Sequence, residues 1–201
     1  MNLFLFYLHL GIKHILDIEG YDHILFIASL VAVYSPKEWK KVIILATAFT
    51  IGHSTTLALA TLNIISVPTA LIEFLIGLTI FLTGFVNLFK TKEDFNPKLH
   101  WLKYGMAMFF GLIHGMGFSN YLRFMLGQEN HIFKPLLAFN VGLELGQLVV
   151  IAITLSLETL LTNVFHVKRR EWNLVISGAA MGMAFMIMMQ RLPMLATIKW
   201  H

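Results

Sequence analysis

The run PLLAFNVGLELGQLVVIAITLSLETLLTNVF, from Pro135 to Phe165, decides the fold class. It holds no basic residue and two carboxylates, Glu144 and Glu158, over a length that exceeds the ~20 apolar residues needed to cross a hydrocarbon core of ~30 Å. Four more stretches of the same character follow from the same reading: Val42 to Leu62, Thr69 to Phe89, Tyr104 to Leu126 and Asn173 to Leu192. At the N-terminus, Asn2 to Leu16 and Tyr21 to Tyr34 are each short. The acidic stretch Asp17-Ile18-Glu19-Gly20-Tyr21-Asp22 separates them. The expectation is an all-α polytopic transmembrane bundle of about seven helices, or six if the first segment is re-entrant.

The whole chain agrees with that class. Of its 201 residues 57% are hydrophobic and 13% charged, and a mean hydropathy of +0.73 is too high for a soluble domain of this length. The net charge of +4 does not point to nucleic acid, because the basic residues sit in short runs between apolar stretches and read as topology determinants. Lys37, Lys40 and Lys41 form one such loop, Lys90, Lys92, Lys98 and Lys103 a second, and Lys168, Arg169 and Arg170 a third. These alternate with sparsely basic connections at residues 17–22, 63–68 and 127–134, which should face the periplasm or exterior. Met1 to Ile12 lacks the basic start and cleavage site of a secretory signal and is read as retained. No repeat, linker or low-complexity tract divides the chain, so residues 1–201 are expected to form one membrane domain.

The absence of cysteine removes disulfides, thiolate metal sites, iron–sulfur clusters and cysteine nucleophiles. No Gly-rich Lys-Ser/Thr loop is present to cradle ATP phosphates. What remains is nitrogen and oxygen chemistry inside the bilayer, where each ionisable side chain costs about 3 kcal/mol or more unless it faces protein or water. Asp22 and His23 open the second segment, His53 and His114 lie mid-helix, Glu73 begins the fourth segment, and Glu144 lies well inside the sixth. All six fall between mid-membrane and the outer face in the inferred topology, and His14, with Asp17 three residues on, is a seventh candidate.

A mixed imidazole and carboxylate set suits nickel, cobalt, zinc or iron better than magnesium, calcium or cuprous copper. Met181, Met183, Met186, Met188 and Met189 read as flexible filler in the last helix and not as copper ligands. Asn140, Glu144, Gln147, Thr154 and Glu158 recur at steps of three, four or seven and so share one helix face, a polar lining for a transport path. Gly111 and Gly115, and Gly178 and Gly182, mark places where backbones can pack closely. His9, His100, His131, His166 and His201 read as loop, terminal or interfacial residues.

At these residues the chain resembles the HupE/UreJ family of hydrogenase and urease accessory membrane proteins, in its second branch. The resemblance is carried by GIKHIL at residues 11–16 leading to DHILF at 22–26, FTIGHSTTL at 49–57, GLIHGMGF at 111–118 and FNVGLELGQ at 139–147. It implies a nickel or cobalt permease of the bacterial inner membrane in which the early His and the Asp-His pair handle metal. The partners expected are the lipid bilayer and the metal ion; a homo-oligomer is compatible with the sequence. Two other classes stay open. One is a membrane-embedded zinc hydrolase, with three histidines on the ion, Glu144 as base and Ser54 polarising substrate. The other is haem ligation by His53 and His114.

Overall fold

A computed structural model describes residues 2–89, 97–126 and 132–196, with the side chains of 97–100 outside the description. The expectations for His100, His131 and His201 lie outside the described residues. Among the described residues there are eight α-helices: α1 Leu3–Leu16, α2 Asp22–Val31, α3 Trp39–Thr61, α4 Thr69–Leu88, α5 Pro97–Gly117, α6 Ser119–Leu126, α7 Phe133–Asn163 and α8 Arg169–Leu195. A 3-10 turn, Pro36–Glu38, leads into α3. Four helical segments are long and apolar enough to cross a membrane: Pro36–Thr61, Thr69–Leu88, Phe133–Asn163 and Arg169–Leu195. The helical bundle expected from the sequence is therefore the observed class.

Local signals set several boundaries. Asn2 caps α1 by accepting the Phe4 N–H at 3.1 Å. Ser35, Pro36 and Glu38 form a capping box ahead of α3, with Ser35 Oγ accepting from Lys37 N and Glu38 Oε2 from Ser35 N. Asn63 and His166 turn the chain after α3 and α7 with φ of 63° and 55°, a left-handed conformation that these residue types tolerate. The expected span Tyr104 to Leu126 is not one helix. It breaks after Gly117, and Ser119 Oγ donates to Met116 O at 2.8 Å, which satisfies a carbonyl at the end of α5.

Three helix pairs carry the packing, and glycine sets how closely each approaches. A Cβ on Gly11 would overlap Phe139 O, and one on Gly142 would overlap Leu8 O, so α1 and α7 lie backbone to backbone. The α3·α5 pair repeats this arrangement: a Cβ on Gly52 would overlap Met108 O, one on Gly111 would overlap Phe49 O, and one on Gly115 would overlap His53 O. In both pairs the contacts advance together along the two chains, so the partners run parallel. In α4·α8, Gly77 faces Ala184 and Met188 while Gly84 faces Ser177 and Met181, so those helices run antiparallel. Among the described residues nothing lies within 4 Å of where a Cβ on Gly178 or Gly182 would stand, so no close approach is made there, and α8 packs through Ser177, Ala184 and its methionines instead.

The two N-terminal helices have a consequence for topology. At 1.5 Å per residue α1 is about 21 Å long and α2 about 15 Å, each too short to cross alone. Tyr7 OH donates to Met125 O in α6, while further along α1 the His14 ring lies against that of Phe118. In α2, His23 lies beside His114, and two turns on Ser29 O accepts from Asn87 Nδ2 near the end of α4. The two helices thus run in one direction, and their combined helical length is about 36 Å, enough for one broken crossing. This differs both from two separate crossings and from a re-entrant first segment, and it puts the starts of α1 and α7 at the same end as the finish of α8. The start of α3 with Lys37, Lys40 and Lys41, the start of α8 with Arg169 and Arg170, and Lys103, whose Nζ sits 5.9 Å over the Tyr34 ring, share the opposite end.

Candidate metal centre

Helix α1 ends and α2 begins in the middle of the bundle, and each brings a histidine to the break. His14 lies in the last turn of α1 and His23 in the first turn of α2. His53 arrives from α3, one residue after the glycine that lets α5 close upon it. One ligand atom from each of His14, His23 and His53 lies within 4.8 Å of the other two. His23 and His53 are fully buried, and His14 is half-buried against Phe118, whose ring centroid is 4.0 Å away. Phe139 and Phe49 complete an apolar wall.

Hydrogen bonding says which nitrogens are free. Asp22 Oδ1 accepts the His23 backbone N–H at 2.8 Å and lies 2.9 Å from His23 Nδ1. That carboxylate fixes the proton on Nδ1 and leaves the Nε2 lone pair unused. His14 Nε2, His23 Nε2 and both nitrogens of His53 are buried with no protein partner. Buried polar atoms in folded proteins are rarely left so. Several such nitrogens converging, with a carboxylate behind one of them, form a donor set for a borderline-soft divalent ion.

The other expected residues divide into those near this centre and those apart. Asp22 is at the centre, but it faces His23 and is not one of the converging ligand atoms. His114 lies next to it, its ring 5.3 Å from that of His23, with Nε2 3.0 Å from Thr79 Oγ1 and Nδ1 buried without a partner. Glu144 is held by Thr47, whose Oγ1 donates to Oε1 at 2.7 Å, and one turn on Thr50 Oγ1 donates to Gln147 Oε1 at 3.0 Å. Asn140 Oδ1 and Gln147 Nε2 are buried without partners. Glu73 stands away from the histidines in an ion pair with Arg191 at 2.7 Å, near the end of the bundle where α4 begins. Thr154 spends its hydroxyl on Val150 O within its own helix. Glu158 is buried at the basic end, 3.0 Å from Arg169 Nε.

Sequence reasoning did not find Thr79, Thr47 or Thr50, since an isolated threonine in an apolar helix has no distinctive pattern. It also missed the aromatic pair Phe26 and Phe49. Their rings stack with centroids 4.8 Å apart and touch His114 on one side at 5.1 Å each. On the other side both line a small apolar cavity with Leu30, Val42, Ala46 and Gln147.

A protein-family model described as HupE / UreJ protein matches residues 1–192. No curated protein and no solved structure matches the chain. The family match and the long apolar helices make this a multi-pass membrane protein with a histidine cluster suited to metal.

Proposed function

The chain belongs to the HupE/UreJ family, and from that membership and the histidine geometry we propose that it is a permease for a divalent transition metal ion, nickel or cobalt first, in the bacterial inner membrane. The observation that carries this reading is the convergence of His14, His23 and His53 at the break between two half-crossings. Transporters commonly build a substrate site from discontinuous helices, since a broken helix offers ligands and end dipoles at membrane depth. The ion is cargo. It reaches the three imidazoles from the end of the bundle that lacks the basic loops, and Asp22 orients His23 to receive it.

Beyond the site, His114 and then the Glu144 and Gln147 positions offer further polar contacts toward the basic, cytoplasmic end. The stacked Phe26–Phe49 pair stands between His114 and the inner cavity, and it closes the site on that side in this conformation. The hydrolase reading needs a base beside the ion. Glu144 is tied to Thr47, and Asp22, the carboxylate at the centre, is engaged by His23. Neither observation favours an enzyme.

The experiment is nickel and cobalt binding and proteoliposome uptake, with wild type beside His14→Ala, His23→Ala and His53→Ala. Loss of binding and uptake in all three is expected. Full binding in any two of the single variants would overturn the shared site, and metal-stimulated hydrolysis without uptake would overturn the permease.

A further inference from the structure

His114 was expected to be a metal ligand, yet it is not among the three converging histidines. Its environment gives it a defined chemical state all the same. Thr79 has one hydroxyl proton, and Oγ1 donates it to Ile76 O at 2.8 Å, the back-bond of a threonine within a helix. The same Oγ1 lies 3.0 Å from His114 Nε2. While that proton is directed to Ile76 O the hydroxyl accepts, and the contact is a hydrogen bond with His114 protonated on Nε2, which also spares the buried Nδ1 an unpartnered N–H. Nδ1 then holds the lone pair, and Nδ1 is buried with no protein partner. His114 is 1% exposed. Its ring lies between that of His23 and the stacked Phe26–Phe49 pair.

We propose that Thr79 is a positioning residue that holds His114 in the Nε2–H tautomer, so that Nδ1 offers the permeating ion a second binding position next to the three-histidine site. The proposal rests on the permease reading of that site and extends it to the step after capture. His23 is the neighbour common to both positions, its ring 5.7 Å from that of His53 and 5.3 Å from that of His114. In this proposal the ion exchanges His14 and His53 for His114 while keeping His23. Partners that fix the tautomer of a ligating histidine typically change metal affinity or activity by about 10–100-fold when removed. Here the change should fall on transport and not on resting affinity, because the resting site is built by other residues.

The test begins with nitrogen-15 spectra of histidine-labelled, metal-free protein, wild type beside Thr79→Val and Thr79→Ser, with His114→Gln identifying the resonance. Wild type and Thr79→Ser should show the Nε2–H tautomer at His114, and Thr79→Val, which has the shape without the oxygen, should show a mixture. Nickel uptake in proteoliposomes should fall about tenfold or more in Thr79→Val and stay near wild type in Thr79→Ser, with the nickel Kd of both unchanged. An Nδ1–H tautomer in the wild-type spectrum would overturn the proposal without use of any variant. Undiminished uptake by Thr79→Val would overturn it too. Wild-type protein with the expected tautomer but no nickel binding would instead overturn the permease reading and the ligand role with it, while the Thr79–His114 link would stand.

Discussion

Replacing Asp22 separates two roles that a carboxylate beside a metal site can have. The structure puts Oδ1 2.9 Å from His23 Nδ1 and outside the group of converging ligand atoms, so in the proposed site Asp22 orients and polarises a ligand and does not bind the ion itself. Removing such a partner costs about 10–100-fold in metal affinity, or about 1.4–2.7 kcal/mol. Asp22→Ala should lose that much. Asp22→Asn keeps an oxygen acceptor at the same place without its charge, and charge-assisted hydrogen bonds are about twice as strong as neutral ones. It should then lose about half the free energy, ~0.7–1.4 kcal/mol, a fall of about 3–10-fold. Isothermal titration of nickel into detergent-solubilised protein at fixed pH reads both. Were Asp22 a direct ligand, Asp22→Asn would be as damaging as His23→Ala. Equal losses in those two variants would refute the orienting role, and an Asp22→Ala protein with wild-type affinity would refute any role.

Four further outcomes follow from the same geometry. Protons compete with the ion for imidazole lone pairs, so uptake at an external pH of about 5 should be well below that at pH 7, and equal rates would rule out neutral histidine ligands. The chain has no cysteine of its own, so Ala46→Cys places one thiol in the cavity beyond Phe26 and Phe49. A thiol reagent applied from the outer side should label it only when Phe49→Ala is added, and labelling with both rings intact would show that they do not close the site. Gly52→Ala should destabilise by roughly 1–3 kcal/mol, because its Cβ would meet the backbone of Met108. Gly178→Ala, in open space in a helix interior, should gain roughly 0.5–1 kcal/mol in thermal unfolding.

The helices were legible because length and hydropathy alone specify a crossing, and His23 and His53 were legible because an imidazole within an apolar helix has few other uses. What the sequence concealed was relative position. Nothing in Asn2 to Val31 says that α1 and α2 run the same way; their direction is fixed by Gly11 against Phe139 and by Asn87 against Ser29, contacts between distant parts of the chain. Glu73 looked like a site residue because its partner, Arg191, lies in the last helix and could not be paired with it from spacing. The likeness of the α1·α7 and α3·α5 pairs was hidden for a related reason. It lies in the register between helices, with Gly11 and Gly142 matching Gly52 and Gly111, and not in any repeated string of residues.

On the proposed reading, the break between α1 and α2 would also let the membrane interior hold a divalent ion with so few charged groups. A helix end carries roughly half an elementary charge, negative at the C-terminus and positive at the N-terminus. The C-terminal end of α1 is therefore turned to the site together with His14, where its carbonyls favour a cation. The N-terminal end of α2 would repel one, but Asp22 stands in the first turn and offsets that positive end while it orients His23. The two parallel glycine-packed pairs, α1·α7 and α3·α5, hold His14 and His53 on closely packed backbones. Helix α2 contains no glycine and carries His23, the residue common to both proposed positions. On the proposed permease reading, one carboxylate and three imidazoles would hold a divalent ion without neutralising it fully. That incomplete compensation suits onward movement, since a permease must release its ion as readily as it captures it.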